Sequence, residues 1–340
     1  MGFILWEQNL KKVSNQPEEK NPYLQKGYTK EEIKRIETLN TENQSYLLKE
    51  DYQIHLIDYL DTIEFDEAKL KDYIQFSKLY NLSIQDIVYI VNHHYDDIDV
   101  YDEKTVSLMH ESYYIHAYLD RYLRYSNIHS AKDMKAVIID VNSNLDYAFY
   151  TQDYTVDLEK QYLILVNKYY KLTSDYVPSN LVTIEAKYGR TLLLEGTVYE
   201  QYKLMWNAAN EEGLSLYIRS PYRSYATQQR LYNDYVAQDG KEAADTYSAR
   251  PGYSEHQTGL AFDVTSPTTN FDTFSNSREF KWLLEHAHEY GFILRYPEGK
   301  EKITGYIYEP WHYRYVGKEA ATIIHETGMT LEEYYAYYVR

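Results

Sequence analysis

The segment Tyr253–Val264, which reads YSEHQTGLAFDV, constrains the fold of this chain more than any other stretch. It places two residues that commonly bind metals, His256 and Asp263, seven positions apart in an otherwise apolar run. Between them lie Gly259 and Ala261, where an ordinary core strand would carry Val or Ile. Small residues indicate that something approaches the backbone closely at this point, and the two polar residues indicate that it is a metal ion.

A catalytic zinc site typically has three protein ligands and keeps a fourth position for water. His256 is predicted to precede a strand and Asp263 to lie on it, so the third ligand must come from elsewhere. The candidate is His312 in YEPWHYRYVG, three residues after Glu309. A carboxylate at that spacing can stand beside the metal without binding it and take a proton from water. A lone Glu-x-x-His pair arises easily by chance, so the prediction depends on the combination.

Composition excludes several classes of function. The net charge of −17 over 340 residues leaves no basic field to collect phosphates, so nucleic acid is not expected as a partner. The absence of cysteine excludes disulfide scaffolds, thiolate zinc sites and cysteine nucleophiles. No stretch reaches the ~20 apolar residues of a membrane span. The start, MGFILWEQNLKK, is too short for a signal-peptide core and fits a trimmed export segment, an anchor or a leader.

The length predicts two domains. Residues 1–27 are expected to form a flexible arm or linker, because their second half is polar and contains two prolines. Residues 28–158 read as a small, mainly helical module, in which Thr29 and Glu32 have the spacing of a capping box. The sequence of this module does not indicate its function. Residues 159–340 are predicted to form the catalytic domain.

The C-terminal half mixes strand and helix patterns without regular β-α-β alternation, which favours an α+β fold over a doubly wound sheet. We expect a mostly antiparallel sheet flanked by helices, preceded by the helical module. The predicted helices span residues 198–213, 225–240 and 278–292, with a terminal helix from residue 318. The predicted strands lie within residues 162–170, 214–220, 259–266 and 303–317.

The motifs together are far more specific than any one of them. The pattern Ser-x-His-x-x-Gly-x-Ala-x-Asp is matched at every position from Ser254 to Asp263, and EPWH follows in the expected order. With SPYRSYATQ and SARPGYSEHQTG upstream, the chain resembles the D-alanyl-D-alanine carboxypeptidase family of zinc peptidases. That family includes VanY-like enzymes and the L,D-carboxypeptidases of peptidoglycan trimming. The resemblance covers residues 160–326 and does not extend to the helical N-terminal half.

The resemblance implies His256, Asp263 and His312 as ligands of one zinc ion per chain and Glu309 as the catalytic base. It also implies Arg223, in the turn PYRS, as the positive charge that faces the scissile carbonyl. Charge that builds on the carbonyl oxygen during attack by water would be offset there, and losing one such donor typically costs on the order of 10²–10³ in rate.

Three further residues, Gln228, Ser248 and Ser254, are implied to line the substrate cleft and hold a terminal carboxylate or an amide. Helix capping or loop hydrogen bonding would explain each of them about equally well. One position departs from the family, because Pro221 stands where many relatives have glycine. This predicts a stiffer lead into the loop of Arg223.

The predicted function is a zinc-dependent carboxypeptidase that removes the C-terminal D-alanine from peptidoglycan stem peptides, with D,D or L,D specificity left open. Two alternatives are an endopeptidase on the same scaffold and a non-catalytic wall-binding protein with a structural zinc site. Such substrates lie outside the cytoplasmic membrane, so we expect an extracytoplasmic location, at the cell wall or membrane of a bacterium. The helical half would then be a spacer or a wall-docking module. The sequence makes no prediction of oligomeric state.

Overall fold

The computed structural model describes residues 21–49, 56–60, 65–79, 82–94, 103–109, 111, 113–185 and 191–339. The chain divides into two compact units, an N-terminal unit (Met1–Leu119) and a C-terminal unit (Asp120–Arg340). Residues 120–158, grouped with the helical module by sequence, therefore belong to the second compact unit, and a functional division after residue 158 stays a prediction. The first 20 residues of the predicted flexible arm lie outside the described residues.

The described part of the N-terminal unit is built from helices packed around an apolar core. The predicted capping box is present, since the Thr29 backbone N–H donates to Glu32 Oε2 at 2.7 Å and Glu32 N–H donates to Thr29 Oγ1 at 3.2 Å. The helices are α1 (Pro22–Gln25), α2 (Lys30–Ile36), α3 (Thr41–Lys49), α4 (Leu56–Leu60), α5 (Leu70–Leu79), α6 (Ile84–His94) and α7 (Glu103–Met109). None of the described helices of the chain is long and apolar enough to cross a membrane.

In its described residues the C-terminal unit combines helices with three small sheets, which confirms the predicted α+β class. Its helices are α8 (Leu119–Ile128, which begins at the last residue of the N-terminal unit), α9 (Met134–Asn142), α10 (Gly196–Glu211), α11 (Tyr225–Asp239), α12 (Lys241–Tyr247), α13 (Phe271–Phe274), α14 (Arg278–His286), α15 (Glu301–Thr304), α16 (Lys318–Thr327) and α17 (Leu331–Tyr334). Its strands are β1 (Tyr154–Thr155), β2 (Tyr170–Lys171), β3 (Leu181–Glu185), β4 (Thr191–Glu195), β5 (Tyr217–Ser220), β6 (Ala261–Thr265), β7 (Phe292–Leu294) and β8 (His312–Tyr315).

The central sheet has the order β5-β6-β8-β7, and every neighbouring pair in it is antiparallel. Its register places Asp263 on β6 directly opposite His312 on β8, and Ala261 opposite Arg314. Paired residues of antiparallel strands point to the same face of the sheet. The register therefore brings two residues that are far apart in sequence to one spot on one face.

Both faces of this sheet are covered. Phe292 and Ile293 are neighbours on β7 and belong to two different apolar clusters, as expected for side chains that alternate along a strand. One cluster includes Val198 and Met205 of α10, and the other includes Ile324 of α16. Polar side chains on the central strands are consequently enclosed by protein, which fixes their positions.

Two strand predictions are wrong in part. Residues 162–170 form strand only at Tyr170–Lys171, preceded by a 3-10 turn at Leu158–Leu163. Here the carbonyl oxygens of Tyr162 and Ile164 accept hydrogen bonds from the Arg314 side chain at 2.9 and 2.8 Å, instead of from a neighbouring strand. An arginine from another element has thus taken the acceptors that a sheet ladder would need.

The predicted strands within residues 303–317 reduce to β8. Helix α15 occupies the start of this stretch and ends at Gly305, whose φ of +78° is a left-handed conformation that favours glycine. Pro310 lacks an N–H for a ladder, and the chain turns there, with His312 N–H donating to the Glu309 carbonyl at 3.1 Å. Regular pairing begins only after this turn.

Candidate metal centre and substrate cleft

His256 lies on a 3-10 turn, Glu255–Thr258, that leads into β6 and ends at Gly259 with φ +69°. A Cβ at position 259 would lie 3.1 Å from Leu181 Cδ2 and 3.2 Å from the backbone N of Glu195. The close approach that the sequence predicts at Gly259 is therefore real, but it comes from neighbouring protein and not from an ion. The left-handed turn and the contact both require glycine.

Ala261 has a similar explanation. It is fully buried on β6 and lies directly opposite Arg314 on β8, which is also fully buried. A small side chain here leaves room for a guanidinium on the same face of the sheet. Ala261 thus leaves room for Arg314 on this face of the sheet, and its role in admitting an ion stays a prediction.

The structure brings His256, Asp263 and His312 together. Asp263 Oδ1 lies 3.5 Å from His256 Nε2 and 3.2 Å from His312 Nδ1. All three side chains are buried, and their ligand atoms lie within 4.8 Å of one another, so the group could hold a metal ion. We call these three residues the metal centre.

The residues around the metal centre test whether its donors fit a cation. Asp263 Oδ1 is buried and has no hydrogen-bond partner among the described residues, an arrangement that is costly unless something compensates the charge. The far nitrogens of both imidazoles are engaged, His256 Nδ1 with the Pro221 carbonyl at 2.9 Å and His312 Nε2 with Glu255 Oε2 at 3.4 Å. Such contacts are typical of metal-binding histidines, because they fix the tautomer and aim the free nitrogen at the ion.

The electrostatics agree with this geometry. Burial lowers the pKa of His256, and Arg223 lowers it further, which keeps this imidazole in the neutral form that binds metals. Burial also acts to lower the pKa of His312, but contacts with Asp263 and Glu255 raise it to about 9. The pKa of Asp263 lies well below its usual value, because the two imidazoles outweigh the effect of burial. The centre therefore favours a positive charge, which a proton or a metal cation can supply.

Glu309 is buried beside the metal centre and outside its ligand set, with Oε2 at 3.6 Å from His312 Nδ1. The turn that precedes β8 and a hydrogen bond from Glu309 N–H to the Tyr296 carbonyl, 3.1 Å long, hold it there. Burial raises the pKa of the Glu309 carboxyl to about 8, and Asp263 contributes in the same direction. A carboxyl with this pKa can both accept and release a proton near neutral pH.

Arg223 is held by three contacts at the start of α11. Its Nη1 donates to Gln228 Oε1 at 2.6 Å, its Nη2 donates to Ser220 Oγ at 2.7 Å, and its backbone N–H donates to the His256 carbonyl at 3.0 Å. Gln228 is itself anchored, since its Nε2 donates to the Ala249 carbonyl at 2.6 Å. The guanidinium is thus fixed relative to the metal centre before any substrate binds.

A cleft of about 390 Å³ opens onto the metal centre and is large enough for a small peptide end. Every site residue predicted from the sequence lines it, namely Arg223, Gln228, Ser248, Ser254, His256, Asp263, Glu309 and His312. Its walls also contain the aromatic residues Tyr235, Tyr247, Phe271, Tyr296, Tyr306 and Trp311. The cleft thus combines a polar, ionisable floor with apolar sides.

The sequence reasoning missed Glu255 and Tyr296, both of which contact His312. Glu255 Oε2 is its hydrogen-bond partner, and the Tyr296 ring lies 4.8 Å from the imidazole centroid. A signal was available, because Arg295 and Arg314 sit in apolar, strand-like stretches. Buried arginines need buried acids, but this does not say which acid, and Glu298 and Glu309 lie nearer to the two arginines in sequence than Glu255 does.

Comparisons with known proteins were consistent with one another. A family model described as "VanY: D-alanyl-D-alanine carboxypeptidase" matches residues 191–318. The chain is 41% identical over 193 residues to the putative carboxypeptidase YodJ of Bacillus subtilis (strain 168), covering 53% of this chain and 69% of that protein. It is 37% identical over 201 residues to a D-alanyl-D-alanine carboxypeptidase of Enterococcus faecium, covering 55% of this chain and 62% of that protein.

A solved structure agrees with these relatives. That of the LdcB LD-carboxypeptidase is 40% identical, covers 53% of this chain and 88% of that chain, and has a TM-score of 0.50. The family match includes every residue of the metal centre, together with Arg223 and Glu309. The chain therefore belongs to the VanY family of D-alanyl-D-alanine carboxypeptidases and is an enzyme of the peptide-hydrolase class.

Proposed function

We propose that the chain is a zinc-dependent carboxypeptidase that hydrolyses the bond before the C-terminal D-alanine of peptidoglycan stem peptides. The observation that carries the proposal is the metal centre itself, a buried donor set with one unpartnered carboxylate oxygen at the floor of a cleft. Two imidazoles and one carboxylate suit zinc, and three protein ligands leave a position for water. The substrate class follows the names of the relatives, which describe carboxypeptidases acting on D-alanyl-D-alanine or at L,D bonds.

His256, Asp263 and His312 would hold the ion, one per chain. When bound, zinc supplies Lewis acidity that lowers the pKa of water toward about 7. Glu309 takes a proton from the attacking water and passes it to the amine that leaves. Burial raises the pKa of Glu309 above its ordinary value, toward the range in which one carboxyl can accept and then donate a proton.

Arg223 is proposed to face the scissile carbonyl and offset the negative charge that develops on its oxygen. The hydrogen bonds from Arg223 to Gln228 and Ser220 support this role, because a preoriented donor loses little free energy to reorganisation during the reaction. Gln228, Ser248 and Ser254 are proposed to hold the terminal carboxylate or the amide of the substrate. Gln228 and Ser248 lie 3.4 Å apart, Nε2 to Oγ, so they present adjacent polar groups to the cleft.

The partners and location follow from this substrate. Peptidoglycan stem peptides lie outside the cytoplasmic membrane, so the enzyme is proposed to act at the cell wall or membrane surface of a bacterium. Residues 28–158 are proposed to act as a spacer or wall-docking module for the catalytic residues 159–340. If docking occurs, a truncation to residues 160–340 should bind purified cell walls more weakly than the full chain, and equal binding would contradict it.

The proposal is tested by incubating zinc-loaded protein with pentapeptide and tetrapeptide muropeptides and measuring the free D-alanine released. Glu309→Gln should bind one zinc ion and lose turnover by a factor on the order of 10²–10⁴. Glu298→Gln, an exposed acid on the same connection, is the matched control and should behave like the parent. Release of dipeptides or larger fragments would indicate an endopeptidase. If Glu309→Gln remains as active as the parent, Glu309 is not the catalytic base.

A further inference from the structure

Four charged side chains form a buried ion-pair network in the C-terminal unit, behind the metal centre. They are Glu255, Arg295, Arg314 and Glu332, and the exposure of each side chain is 0% or 1%. Two carboxylates balance two guanidiniums, so the network is neutral as a whole. Burying four charges is expensive and often adds nothing to stability compared with apolar residues of the same size, so the arrangement calls for another explanation.

The two carboxylate oxygens of Glu255 contact different partners. Oε1 accepts hydrogen bonds from Arg295 Nε and from Arg314 Nη1, both 2.7 Å long. Oε2 is left to His312 Nε2 at 3.4 Å. Because both arginines bind Oε1, Oε2 is the oxygen that remains available to His312. An acceptor at this position favours the His312 tautomer that carries its N–H on Nε2, which leaves Nδ1, 3.2 Å from Asp263 Oδ1, as the atom that would bind a metal ion.

Arg295 is fixed in turn by Glu332 of α17. The two carboxylate oxygens of Glu332 accept from Arg295 Nη1 at 2.8 Å and Nη2 at 2.6 Å, a bidentate pair that sets the plane of the guanidinium. Asn167 Nδ2 donates to Glu332 Oε1 at 3.2 Å, which anchors the far side of the carboxylate. With its plane set, Arg295 presents its Nε edge to Glu255 Oε1 at 2.7 Å. Glu332 lies beyond the residues that the family model matches.

We propose that Glu255 is a positioning residue for the metal ligand His312, and that Glu332 acts on it through Arg295. The inference rests on the proposed metal centre and extends it to the C-terminal helix. A carboxylate that holds the outer nitrogen of a ligating histidine typically contributes about 10–100-fold to metal affinity. Removing the negative charge of Glu332 frees Arg295 to rotate, and Glu255 then loses one of the two donors that orient it.

The test is a titration of zinc into the full-length protein in competition with a chromophoric chelator. Glu255→Gln should weaken zinc binding about 10–100-fold, and Glu332→Gln should weaken it by a smaller factor. Glu333→Gln is the matched control, because Glu333 is the next residue on α17 but pairs with Lys300 at 3.1 Å outside the network. It should bind zinc like the parent. The visible spectrum of bound Co²⁺ is the second measurement and should change in the first two variants only.

The outcomes separate this inference from the proposed function. If the parent protein binds no zinc, the proposed metal centre is wrong, and the proposed function with it. A parent that binds zinc, with Glu255→Gln and Glu332→Gln matching it in affinity and Co²⁺ spectrum, would overturn the positioning role alone. If Glu255→Gln does not fold, Arg295→Lys takes its place, because lysine keeps the charge and cannot bind both carboxylates as a fork. Unchanged zinc affinity in Arg295→Lys would equally overturn the inference.

Discussion

The two compact units bury different kinds of side chain. Among the described residues of the N-terminal unit, the buried side chains are apolar or tyrosine, apart from Ser45 and Thr105. The C-terminal unit buries the ion-pair network and, in contact with it, the metal centre and Glu309. Apolar burial stabilises a fold at roughly 25 cal/mol per Å² without demanding one geometry. Buried charges cost free energy and tolerate few arrangements, so their presence marks the place where geometry matters more than stability.

The largest expected effect comes from removing the metal. A chelator should abolish peptide hydrolysis and lower the melting temperature of the C-terminal unit, because ligand at a thousandfold excess over its Kd stabilises the folded state by about 4 kcal/mol. Three of the four tryptophans, Trp206, Trp282 and Trp311, lie in this unit, so tryptophan fluorescence mainly follows its melting. Added zinc should restore both properties. If neither the hydrolysis rate nor the melting temperature changes when chelator is added, the centre holds no essential ion.

The next effect is measured as stability. Arg314→Leu should lower the free energy of unfolding by about 3–5 kcal/mol, because it leaves the Glu255 carboxylate buried with one guanidinium fewer. It also leaves the carbonyls of Tyr162 and Ile164 without their donor. Urea unfolding followed by tryptophan fluorescence measures the loss. A cost below 1 kcal/mol would mean that the network relaxes easily, and the contrast between the two units would weaken.

The third expected effect is on kcat, with the fold left intact. Arg223→Ala should reduce kcat by a factor on the order of 10²–10³, since it removes a donor aimed at developing negative charge. Arg223 lies at the partly exposed cleft wall, outside the buried network, so the melting temperature should change little. Arg219→Ala, an exposed arginine of β5, is the control and should keep the parent rate. A rise in KM with kcat unchanged would instead assign Arg223 to ground-state binding.

The metal centre was predictable because its chemistry is carried by short motifs. His256 and Asp263 share one segment, and Glu309 and His312 share another, so spacing alone proposes two halves of one site. What joins the halves is the register of β6 on β8, which depends on packing across the sheet and leaves no trace in either segment. The family resemblance predicted that the two segments form one site, which physical reasoning from the sequence could not.

The positioning network and parts of the fold were not predictable for a related reason. Glu255 depends on Arg295 and Arg314, and Arg295 depends on Glu332, so each partner is distant in sequence. The strand predicted over residues 162–170 failed on the same account, because Arg314 occupies the carbonyl groups of that stretch. Local sequence patterns predict a helix or strand well where residues close in sequence determine the structure, as at the capping box of α2. They fail where a side chain distant in sequence binds the backbone carbonyl groups.

The smallest expected effect completes the comparison between the units. Arg35 and Asp58 form an ion pair of 2.7 Å in the N-terminal unit, with 48% and 32% of their side chains exposed. Arg35→Ala should cost less than about 1 kcal/mol of unfolding free energy, because water screens an exposed pair and replaces its hydrogen bonds. Circular dichroism, compared with the tryptophan fluorescence that reports mainly on the C-terminal unit, measures the loss, and added salt should make the effect smaller still. A loss as large as that of Arg314→Leu would show that burial does not separate structural from surface charge in this chain, and the argument from buried charge to positioning would fail with it.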